Sequence, residues 1–520
     1  MFQYIQGEIQ PNQESIYHNE MKRIRLNTYI LMLGCLIMTH CSKDKGNYSY
    51  TDVNALTILR SDGNELDGTD YDIRLGKELL IKPTVKGTLR DDSKLSLQYY
   101  WILDKDTVGT KEELYVNTDE LGVGDKIGKL VVVDKETSLA QYASFRIRIT
   151  SGISKGSFIL TESEDFETTL VLRDLTANED YIYMKQMAGG FELGKYPLGL
   201  EVSYSATSAT NREYKRAVIS TKEGANPIMV VDLKQFLPTL MYPRSGATLG
   251  GELLEPSYVW CNPRQLQTNN VNGITLIEGK CYNMASGLIS NDVYAYDPLD
   301  YSFDESAVCP SLSLNGHYVA GFDKKNERIR IFGNSLKGGG MFNQNFDHLV
   351  DPQSTKGHSF VANAEMIIGT DLIWQFITKK GNEMFMHNVV TDLNIYPYQP
   401  QKVNTIASKL VPQMVDAVHF VFSGQFWYFA KGRTIYQCSR SGLDIVPYLT
   451  LPEDGSGDIV SWNFDIQAAS NFTKMGIATY APSSTKEYKG SYYVYNMVDK
   501  KFDQQDLNVI DKAVDVEIGL

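Results

Sequence analysis

The sequence predicts an all-β protein in which an N-terminal β-sandwich is followed by a β-propeller of about seven blades. Three observations lead to this prediction. Short apolar or alternating segments are separated by turns rich in Gly, Asp and Asn, helical periodicity is nearly absent, and one strand–turn–strand plan recurs after residue 156. The chain of 520 residues is 42% hydrophobic, which is enough for substantial cores in roughly two to four domains.

Residues 1–50 have the layout of a bacterial export signal followed by a tether. Three basic residues open the signal, namely Lys22, Arg23 and Arg25. An apolar run from Tyr29 to Met38 follows, and it is shorter than the ~20 residues that cross a bilayer as a helix. Cys41 comes shortly after this run, at the place where a bacterial lipoprotein is cut and acylated.

We therefore expect translation to start at Met21, residues 1–40 to be removed as a leader and Cys41 to carry the lipid. Residues 41–50 would then form a lipidated tether that holds the folded body at a membrane. An uncleaved signal anchor is the alternative interpretation, but it would need a longer apolar span.

The charge balance restricts the partners of the chain. There are 50 Lys and Arg residues against 63 Asp and Glu residues, which gives a net charge of −13. An acidic body lacks the basic surface that nucleic-acid phosphates require, so nucleic acid is excluded as a partner. The same acidity opposes adhesion to anionic lipid, and the lipid anchor is therefore the expected link to the membrane.

Residues 51–152 are predicted to form the β-sandwich. Six candidate strands are separated by turn signals: Ala55–Leu59, Tyr71–Leu75, Glu78–Val85, Leu97–Leu103, Lys129–Val133 and Tyr142–Thr150. Trp101 is expected as a buried aromatic on a central strand, and residues 128–150 are typical of the closing hairpin of an immunoglobulin-like module. The polar spacer 151–156 marks the boundary with the second domain, residues 153–520.

The phrase DKGNYSYTDVNALTI after Cys41, together with the later YYWILD, resembles the PKD-like family of lipoproteins from Bacteroides-type bacteria. The resemblance covers residues 41–150 closely and the remainder by overall layout. It implies a PKD-like sandwich, a place in the outer membrane and an accessory role in a Sus-type nutrient-uptake system. It also implies two partners, the TonB-dependent transporter of that system and its lid lipoprotein. The family supplies no catalytic residues.

Seven segments of the second domain share the plan of an apolar strand, a polar turn and a second strand: 157–174, 217–232, 274–297, 318–333, 372–388, 425–439 and 476–496. Their ends lie about 54 residues apart on average, a length that fits the four strands of a propeller blade. Seven blades follow, with six or eight as alternatives, and closure should return the chain end at 501–520 to the first blade. Unrelated hairpins in large β-sandwiches are the other interpretation. Residues 231–241 and 404–416 are expected as short helices in blade connections.

No motif for catalysis stands out, and neither a cofactor nor a metal is predicted. The sequence contains no HExxH zinc motif, no GxSxG nucleophile elbow and no phosphate-binding glycine loop that opens a helix. His387 and His419 lie in strand-like runs and are expected to be packed. The Asp-rich segments 67–72 and 453–458 do not fit a calcium loop and are expected as solvated turns. The glycine-rich run 337–346 is expected as a loop between blades.

Four cysteines follow Cys41 along the chain: Cys261, Cys281, Cys309 and Cys438. None forms a CxxC pair, which argues against a structural metal site. One or two disulfides and buried thiols are both open interpretations.

Aromatic side chains are the remaining signal, with 32 Tyr and 5 Trp. Trp374 and Trp427 lie within strand-like runs and are expected to pack in a core. Trp260 and Trp462 lie beside polar segments that contain Asn. We predict these two residues as a candidate ligand-binding rim, because exposed Trp side chains form platforms for sugar rings and peptide side chains.

These observations predict a non-catalytic lipoprotein that binds a glycan or peptide substrate, the transporter, or both. The alternative is a propeller-fold polysaccharide hydrolase or lyase with paired carboxylates, which would show convergent carboxylates of raised pKa in a central pocket. A third interpretation is a structural partner of the transporter without a ligand of its own. The expected location is the outer membrane, with the cell surface favoured over the periplasmic face.

Overall fold

The computed structural model describes residues 54–89, 95–150, 156–175, 181–187, 190–206, 212–245, 253–261, 272–285, 288–289, 300–310, 318–334, 342–345, 351–392, 400–408, 414–423, 426–439, 445–465 and 473–519. The chain divides into a small unit, residues 1–56 with 86–95, and a large unit, residues 57–85 with 96–520. Cys41 and the leader lie outside the described residues. No helix in the described ranges is long and apolar enough to cross a membrane.

The N-terminal part of the chain is β-structure apart from one turn of helix. In chain order its elements are β1 (Leu56–Leu59), β2 (Thr69–Arg74), β3 (Glu78–Ile81), β4 (Thr84–Gly87), β5 (Leu97–Leu103), β6 (Asp106–Gly109), β7 (Leu114–Asn117), α1 (Thr118–Leu121), β8 (Gly124–Asp134) and β9 (Ala140–Thr150). Strands β2, β9, β8, β5 and β6 form a five-stranded sheet in that order, while β1–β4 and β3–β7 form two-stranded sheets. β2 runs parallel to β9, and the other pairs of the large sheet are antiparallel.

Two predictions for this part are confirmed and one is wrong. β8 and β9 form the predicted antiparallel hairpin. Trp101 on β5 is fully buried, its ring lies 5.7 Å from that of Phe145, and its indole N–H donates to the Lys111 carbonyl at 2.8 Å. The single strand predicted over 78–85 is instead divided into β3 and β4. Pro83 lies between them and has no N–H with which to continue a ladder.

The remaining described strands follow in chain order as β10 (Gly156–Glu162), β11 (Thr168–Asp174), β12 (Ile182–Met184), β13 (Gln186–Met187), β14 (Phe191–Glu192), β15 (Lys195–Ala206), β16 (Arg212–Glu223), β17 (Ile228–Asp232), β18 (Leu237–Tyr242), β19 (Pro256–Cys261), β20 (Asn272–Ile277), β21 (Lys280–Ala285), β22 (Leu288–Ile289), β23 (Cys309–Pro310), β24 (Tyr318–Asp323), β25 (Arg328–Asn334) and β26 (Phe342–Asn345). They continue as β27 (Ser359–Ile368), β28 (Asp371–Lys380), β29 (Glu383–Asp392), β30 (Pro400–Ser408), β31 (Val418–Ser423), β32 (Phe426–Lys431), β33 (Thr434–Ser439), β34 (Ile445–Thr450), β35 (Asp458–Phe464), β36 (Lys474–Tyr480), β37 (Gly490–Asn496), β38 (Lys501–Ile510) and β39 (Lys512–Gly519). Two short 3-10 helices, Glu305–Ala307 and Pro352–Thr355, precede β23 and β27.

In the part of the chain that the structure describes, these strands form seven four-stranded antiparallel sheets that resemble propeller blades. We call them blades 1 to 7. Their strand orders are β39-β10-β11-β12, β15-β16-β17-β18, β19-β20-β21-β22, β23-β24-β25-β26, β27-β28-β29-β30, β31-β32-β33-β34 and β35-β36-β37-β38. The strand given first in each order is called the first strand of its blade. β13 and β14 form a separate two-stranded sheet.

The C-terminal strand completes blade 1. β39 pairs antiparallel with β10, from Gly519 opposite Gly156 to Lys512 opposite Glu162. Ile518 of β39 is fully buried in a hydrophobic cluster that blade 1 shares with blade 7. The predicted return of the chain end to the first blade is therefore confirmed.

The hairpins predicted from the repeat are the two middle strands of each blade. For the predicted segment 274–297, the comparison rests on β20 and β21, because residues 290–299 lie outside the described ranges. The two predicted helices are wrong where the chain is described, since residues 237–241 lie in β18 and residues 404–408 lie in β30. Pairing with β17 and β29 overrides the local helical pattern there.

Hydrophobic cores lie between successive blades. Among the described residues, six clusters each combine side chains from two neighbouring blades. Trp374 and Trp427 are fully buried in two of these clusters, as predicted. Four cysteines lie in these clusters as buried thiols, and they form no disulfide within the described ranges: Cys261, Cys281, Cys309 and Cys438. Each blade therefore covers its apolar faces with its neighbours.

Candidate ligand site where the first strands meet

The first strands of blades 7, 1 and 2 lie side by side. The Leu200 N–H of β15 donates a hydrogen bond at 2.9 Å to Asp515 Oδ2 on β39, and this bond joins blade 2 to blade 1. Asp465, just after β35, forms an isolated parallel bridge with Ile518 of β39. β39 is therefore flanked by the first strands of both neighbouring blades. We call this region the junction.

The first strands carry several acids but few cations. The acids within these strands, beyond their opening residues, are Glu201, Glu365, Asp515 and Glu517. Lys195 and Lys512 open β15 and β39, and their amino groups lie 2.6 Å from Glu167 and 3.8 Å from Glu162. Over the described ranges of the first strands there is no other lysine and no arginine. The interior of the junction is therefore acidic.

Asp515 is held by backbone N–H groups from two blades. Besides Leu200, the N–H of Val516 donates to its other oxygen at 2.9 Å. Burial raises the pKa of Asp515, while the charge of His419 and the two N–H donors oppose this rise. Asp515 therefore has the strongest support for an ionised form among the acids at the junction.

Glu517 is more enclosed, with 8% of its surface exposed. The Asn463 side-chain amide of β35 donates to Glu517 Oε1 at 3.3 Å. The second oxygen, Oε2, is buried and has no hydrogen-bond partner among the described residues. Leaving such an oxygen without a partner costs roughly 1–3 kcal/mol of folding free energy. Glu517 thus has one carboxyl oxygen that makes no hydrogen bond to the described residues.

Burial and mutual repulsion raise the pKa values of Glu201 and Glu517. Burial raises the pKa of Glu201 to about 8, and the charge of Asp515 adds to the rise. Burial also raises the pKa of Glu517 well above its ordinary value, with Asp515 and Glu201 adding to the rise and the Asn463 hydrogen bond opposing it. Glu201 is only half-buried by surface area, but the surrounding blades keep it out of bulk water, so the burial effect persists. We call Glu201, Asp515 and Glu517 the carboxyl cluster.

His419 of β31 approaches the cluster from blade 6 with a strained backbone. Its φ angle is +48°, in the left-handed region that few residues other than glycine adopt. It lies where the pairing of β31 with β32 becomes irregular, and it is half-buried. Burial lowers the pKa of His419, and the charge of Asp515 opposes this. His387 is fully buried, as predicted, whereas His419 is only half-buried.

The Asp-rich turns serve the fold. Asp67 Oδ1 accepts a hydrogen bond from the Ser144 N–H at 2.7 Å. Asp454 accepts hydrogen bonds from the Arg433 guanidinium at 3.0 Å and from the Tyr493 hydroxyl at 2.6 Å. Within the described ranges, no three His, Cys, Asp or Glu side chains are grouped so that they could hold a metal ion.

The two tryptophans predicted as a binding rim do not lie on exposed loops. Trp260 lies in β19, is 8% exposed and belongs to the cluster between blades 3 and 4. Trp462 lies in β35, is 1% exposed and belongs to the cluster between blades 6 and 7. The neighbouring Asn residues indicated loops, but both tryptophans lie in first strands whose apolar side chains enter the cores. Ligand contact by Trp260 and Trp462 stays a prediction, and neither side chain has the exposed surface that such contact needs.

The sequence prediction did not include the carboxyl cluster. Its signal is one or two acids inside an apolar strand-like run, as in LGLEVSY around Glu201 and AVDVEIG around Asp515 and Glu517. His419 occurs in a similar run, AVHFVF. Because an isolated charge is costly to bury, such positions could have been selected as functional candidates.

Comparison with known proteins gives one family match. Residues 41–195 match the model of the PKD-like family, in agreement with the resemblance of the N-terminal sequence. A search of curated proteins finds no match to the chain.

Several solved structures show weak similarity. A quinonprotein alcohol dehydrogenase-like protein from Bacteroides thetaiotaomicron is 12% identical, with a TM-score of 0.48, over 86% of this chain and 96% of that chain. Apo AztD from Citrobacter koseri is 9% identical, with a TM-score of 0.32, over 90% of this chain and 98% of that chain. The WD40 domain of SCAP from fission yeast is 10% identical, with a TM-score of 0.30, over 68% of this chain and 91% of that chain. All three likenesses fall below a TM-score of 0.5 and say nothing about what this chain binds.

Proposed function

We propose that this chain is an outer-membrane-anchored accessory lipoprotein of a Sus-type uptake system. In this proposal the N-terminal module is a PKD-like β-sandwich, and the seven blades close into a β-propeller that binds a glycan or peptide substrate, the transporter, or both, without catalysis. The export signal before Cys41 and the family match over residues 41–195 support the anchor and the system. The proposed partners are the TonB-dependent transporter and its lid lipoprotein, and the proposed orientation is the cell surface.

The observation that carries the binding function is the carboxyl cluster. In a propeller the blades surround a central channel, and ligand sites are concave regions with a few well-placed polar groups. The cluster places acids from blades 1 and 2 together, with Asn463 of blade 7 and His419 of blade 6 beside them. Acids whose pKa is raised by burial reduce stability at neutral pH, so their presence points to a function other than folding.

Titration of the purified chain against a panel of glycans and peptides tests the binding function. We expect at least one panel member to bind, and we expect Asp515→Asn to weaken that binding about ten-fold, because a hydrogen bond to a charged group is lost. Glu278→Gln, which removes an exposed acid in the turn between β20 and β21, is the charge-matched control and should bind like the wild type. Equal binding by the wild type and the Asp515→Asn variant would rule out the junction as the site.

Purification of the tagged chain from cells tests the partners. We expect the transporter and its lid lipoprotein to be recovered with the chain. Protease treatment of intact cells tests the orientation, because a surface protein is digested while the outer membrane is closed. Survival of the body under this treatment would place it on the periplasmic face.

A polysaccharide hydrolase or lyase is the second candidate, and the raised pKa values favour it. A general acid must be protonated at working pH, and Glu201 with a pKa of about 8 meets that requirement. Asp515, which two N–H donors and His419 support in its ionised form, would be the second carboxylate. Chromatography of polysaccharides incubated with the chain separates the candidates. Shortened products that disappear in the Glu201→Gln variant would establish the enzyme, whereas intact ligand supports binding.

A further inference from the structure

One carboxyl oxygen of Glu517 lies buried and is not bonded by any of the described residues. Oε2 has no hydrogen-bond partner among them, and Glu517 is 92% enclosed by the fold, since only 8% of its surface is exposed. Over the described ranges of the first strands, lysine occurs only as the opening residues Lys195 and Lys512. The described first strands therefore bring more acidic side chains than lysine or arginine side chains to the junction.

The strand geometry brings two carboxyl groups to one face of β39, and a third lies on the neighbouring strand β15. Asp515 and Glu517 are two residues apart on the same strand, so their side chains share a face with Cα atoms about 7 Å apart. The Leu200 N–H binds Asp515, and Glu201, the next residue of β15, is near enough for the charge of Asp515 to raise its pKa. A cation between these groups would contact carboxyl oxygens from two blades.

The size of the cation can be inferred from the same geometry. A metal ion needs its ligands gathered within about 2.0–2.6 Å of one point, and the described residues contain no such group. An ammonium group instead needs acceptors at about 2.8 Å from its nitrogen, and each of its three N–H donors can bond to a different oxygen. An amino group that donates to Glu517 Oε2 would keep two N–H donors for neighbouring acceptors.

We propose that the junction of blades 7, 1 and 2 is a subsite for a protonated primary amine, held by Glu517, Asp515 and Glu201. This inference rests on the proposed binding function and narrows its ligand to one that carries an amino group. A lysine side chain of a peptide and an amino sugar share this chemistry. The positive charge of the amine favours ionised carboxyl groups. Carboxyl groups that are protonated in the free chain therefore lose their protons when the amine binds.

The proton release follows from the groups that face the cluster. Besides the three carboxyl groups, these are Tyr258 and Cys261 of β19 and His419 of β31, with Asn463 of β35 as a neutral donor. Burial raises the pKa of Tyr258, so its hydroxyl carries no charge near pH 7, whereas burial lowers the pKa of His419 and the charge of Asp515 opposes this. Amine binding therefore requires the carboxyl groups of the cluster to be ionised. The affinity for an amine should rise between about pH 6 and pH 8.

Calorimetric titration of the full chain with two matched pairs of probes tests the subsite. The first pair is acetyl-glycyl-lysine amide and the same peptide with its lysine side chain acetylated. The second pair is a glucosamine tetramer and an N-acetylglucosamine tetramer. We expect one amine probe to bind about ten-fold more tightly than its acetylated partner. Comparison of buffers with different ionisation heats should show proton release for that amine alone.

Glu517→Gln is the decisive variant, with Glu278→Gln as the exposed control. Glu517→Gln should abolish the preference for the amine, while the control variant keeps it. Thermal melting checks that both variants are folded. Glu517→Gln removes an acid whose burial is costly, so loss of folding is not expected. Which pair responds decides between a peptide and an amino sugar.

The outcomes separate this inference from the proposed function. Equal affinity for the amine and acetylated forms refutes the subsite. Binding of a neutral glycan or peptide that Asp515→Asn weakens, without binding of either amine probe, refutes the subsite and leaves the proposed function standing. If no ligand of the panel binds and the variants behave alike, both fail.

Discussion

Glu201 holds a proton that a solvated glutamate would have lost at neutral pH. Its pKa of about 8 lies above the ordinary value of 4.5, so between these values the folded state binds more protons than the unfolded state. Stability should therefore fall as pH rises from about 4.5 to 8. Glu201→Gln removes this penalty and should be more stable than the wild type at pH 8 by ~4 kcal/mol, with little difference near pH 4. Urea unfolding at pH 4.5, 6 and 8 measures this.

The matched control for Glu201 is Glu278→Gln in an exposed turn, which should leave stability unchanged at every pH. A constant difference between Glu201→Gln and the wild type across the pH range would show that the proton on Glu201 does not affect folding. It would also remove the acid proposed for the enzyme alternative.

Thr378 links two histidines inside blade 5. Its hydroxyl lies 2.8 Å from His358 Nδ1 and 2.8 Å from His387 Nε2, and both histidines are buried. Thr378→Val leaves buried ring nitrogens without this partner and should cost about 1–3 kcal/mol of unfolding free energy. The control is Thr450→Val, at an exposed position on β34, which should change stability little. Chemical unfolding of the two variants compares them, and equal stability would contradict a structural role for the link.

The histidine link also has a pH dependence of known sign. Burial lowers the pKa of His387 to about 4, below its ordinary 6.5, with the charge of His358 as the second cause. The unfolded state therefore binds a proton more readily, and stability should fall as pH decreases from about 6.5 to 4. This acid-side loss is opposite in sign to the loss that Glu201 causes on the alkaline side.

β39 is the element on which the closure of the blades depends. Ile518 is fully buried between blades 1 and 7, whereas Val498, in the connection between β37 and β38, is 71% exposed. Ile518→Ala should reduce the free energy of unfolding by about 2–5 kcal/mol, and Val498→Ala should have a negligible effect. Limited proteolysis should detect earlier cleavage in the Ile518→Ala variant. Equal resistance of the two variants would mean that β39 does not hold the blades together.

The strand pairs that could be predicted from the sequence are those joined by short turns. β10 with β11 and β32 with β33 are local hairpins, and their apolar strands and polar turns are visible in a single segment. The pairing of β39 with β10 joins residues more than 300 positions apart, and only the requirement for closure indicated it. The helix expected over 231–241 failed because a partner strand, which the segment itself does not reveal, determines its conformation.

The candidate site belongs to the whole molecule, and for that reason the sequence did not disclose it. Glu201 comes from blade 2, Asp515 and Glu517 from the C-terminal strand of blade 1, and Asn463 from blade 7. The three strands are far apart in the chain, and only the packing of neighbouring blades brings their polar side chains together. Trp260 and Trp462 show the converse error, since their polar neighbours indicated exposure but the blades that pack on them bury both.

The proposed lipid anchor is likewise tested on the whole chain. Cys41 follows the predicted export signal and is the first residue of the family match. Cys41→Ala should abolish acylation, and the body should move from the membrane fraction to the soluble fraction of fractionated cells. Retention of the Cys41→Ala variant in the membrane fraction would instead favour the uncleaved signal anchor.

Hydrogen–deuterium exchange of the full chain, with and without the panel member that binds most tightly, tests the central claim most directly. The account predicts slower exchange on binding in β15, β35 and β39, the first strands of blades 2, 7 and 1. The outer strands β12, β18 and β38 should exchange as before and serve as the internal reference. Protection confined to those outer strands, with none at the junction, would contradict the claim that the carboxyl cluster is the ligand site.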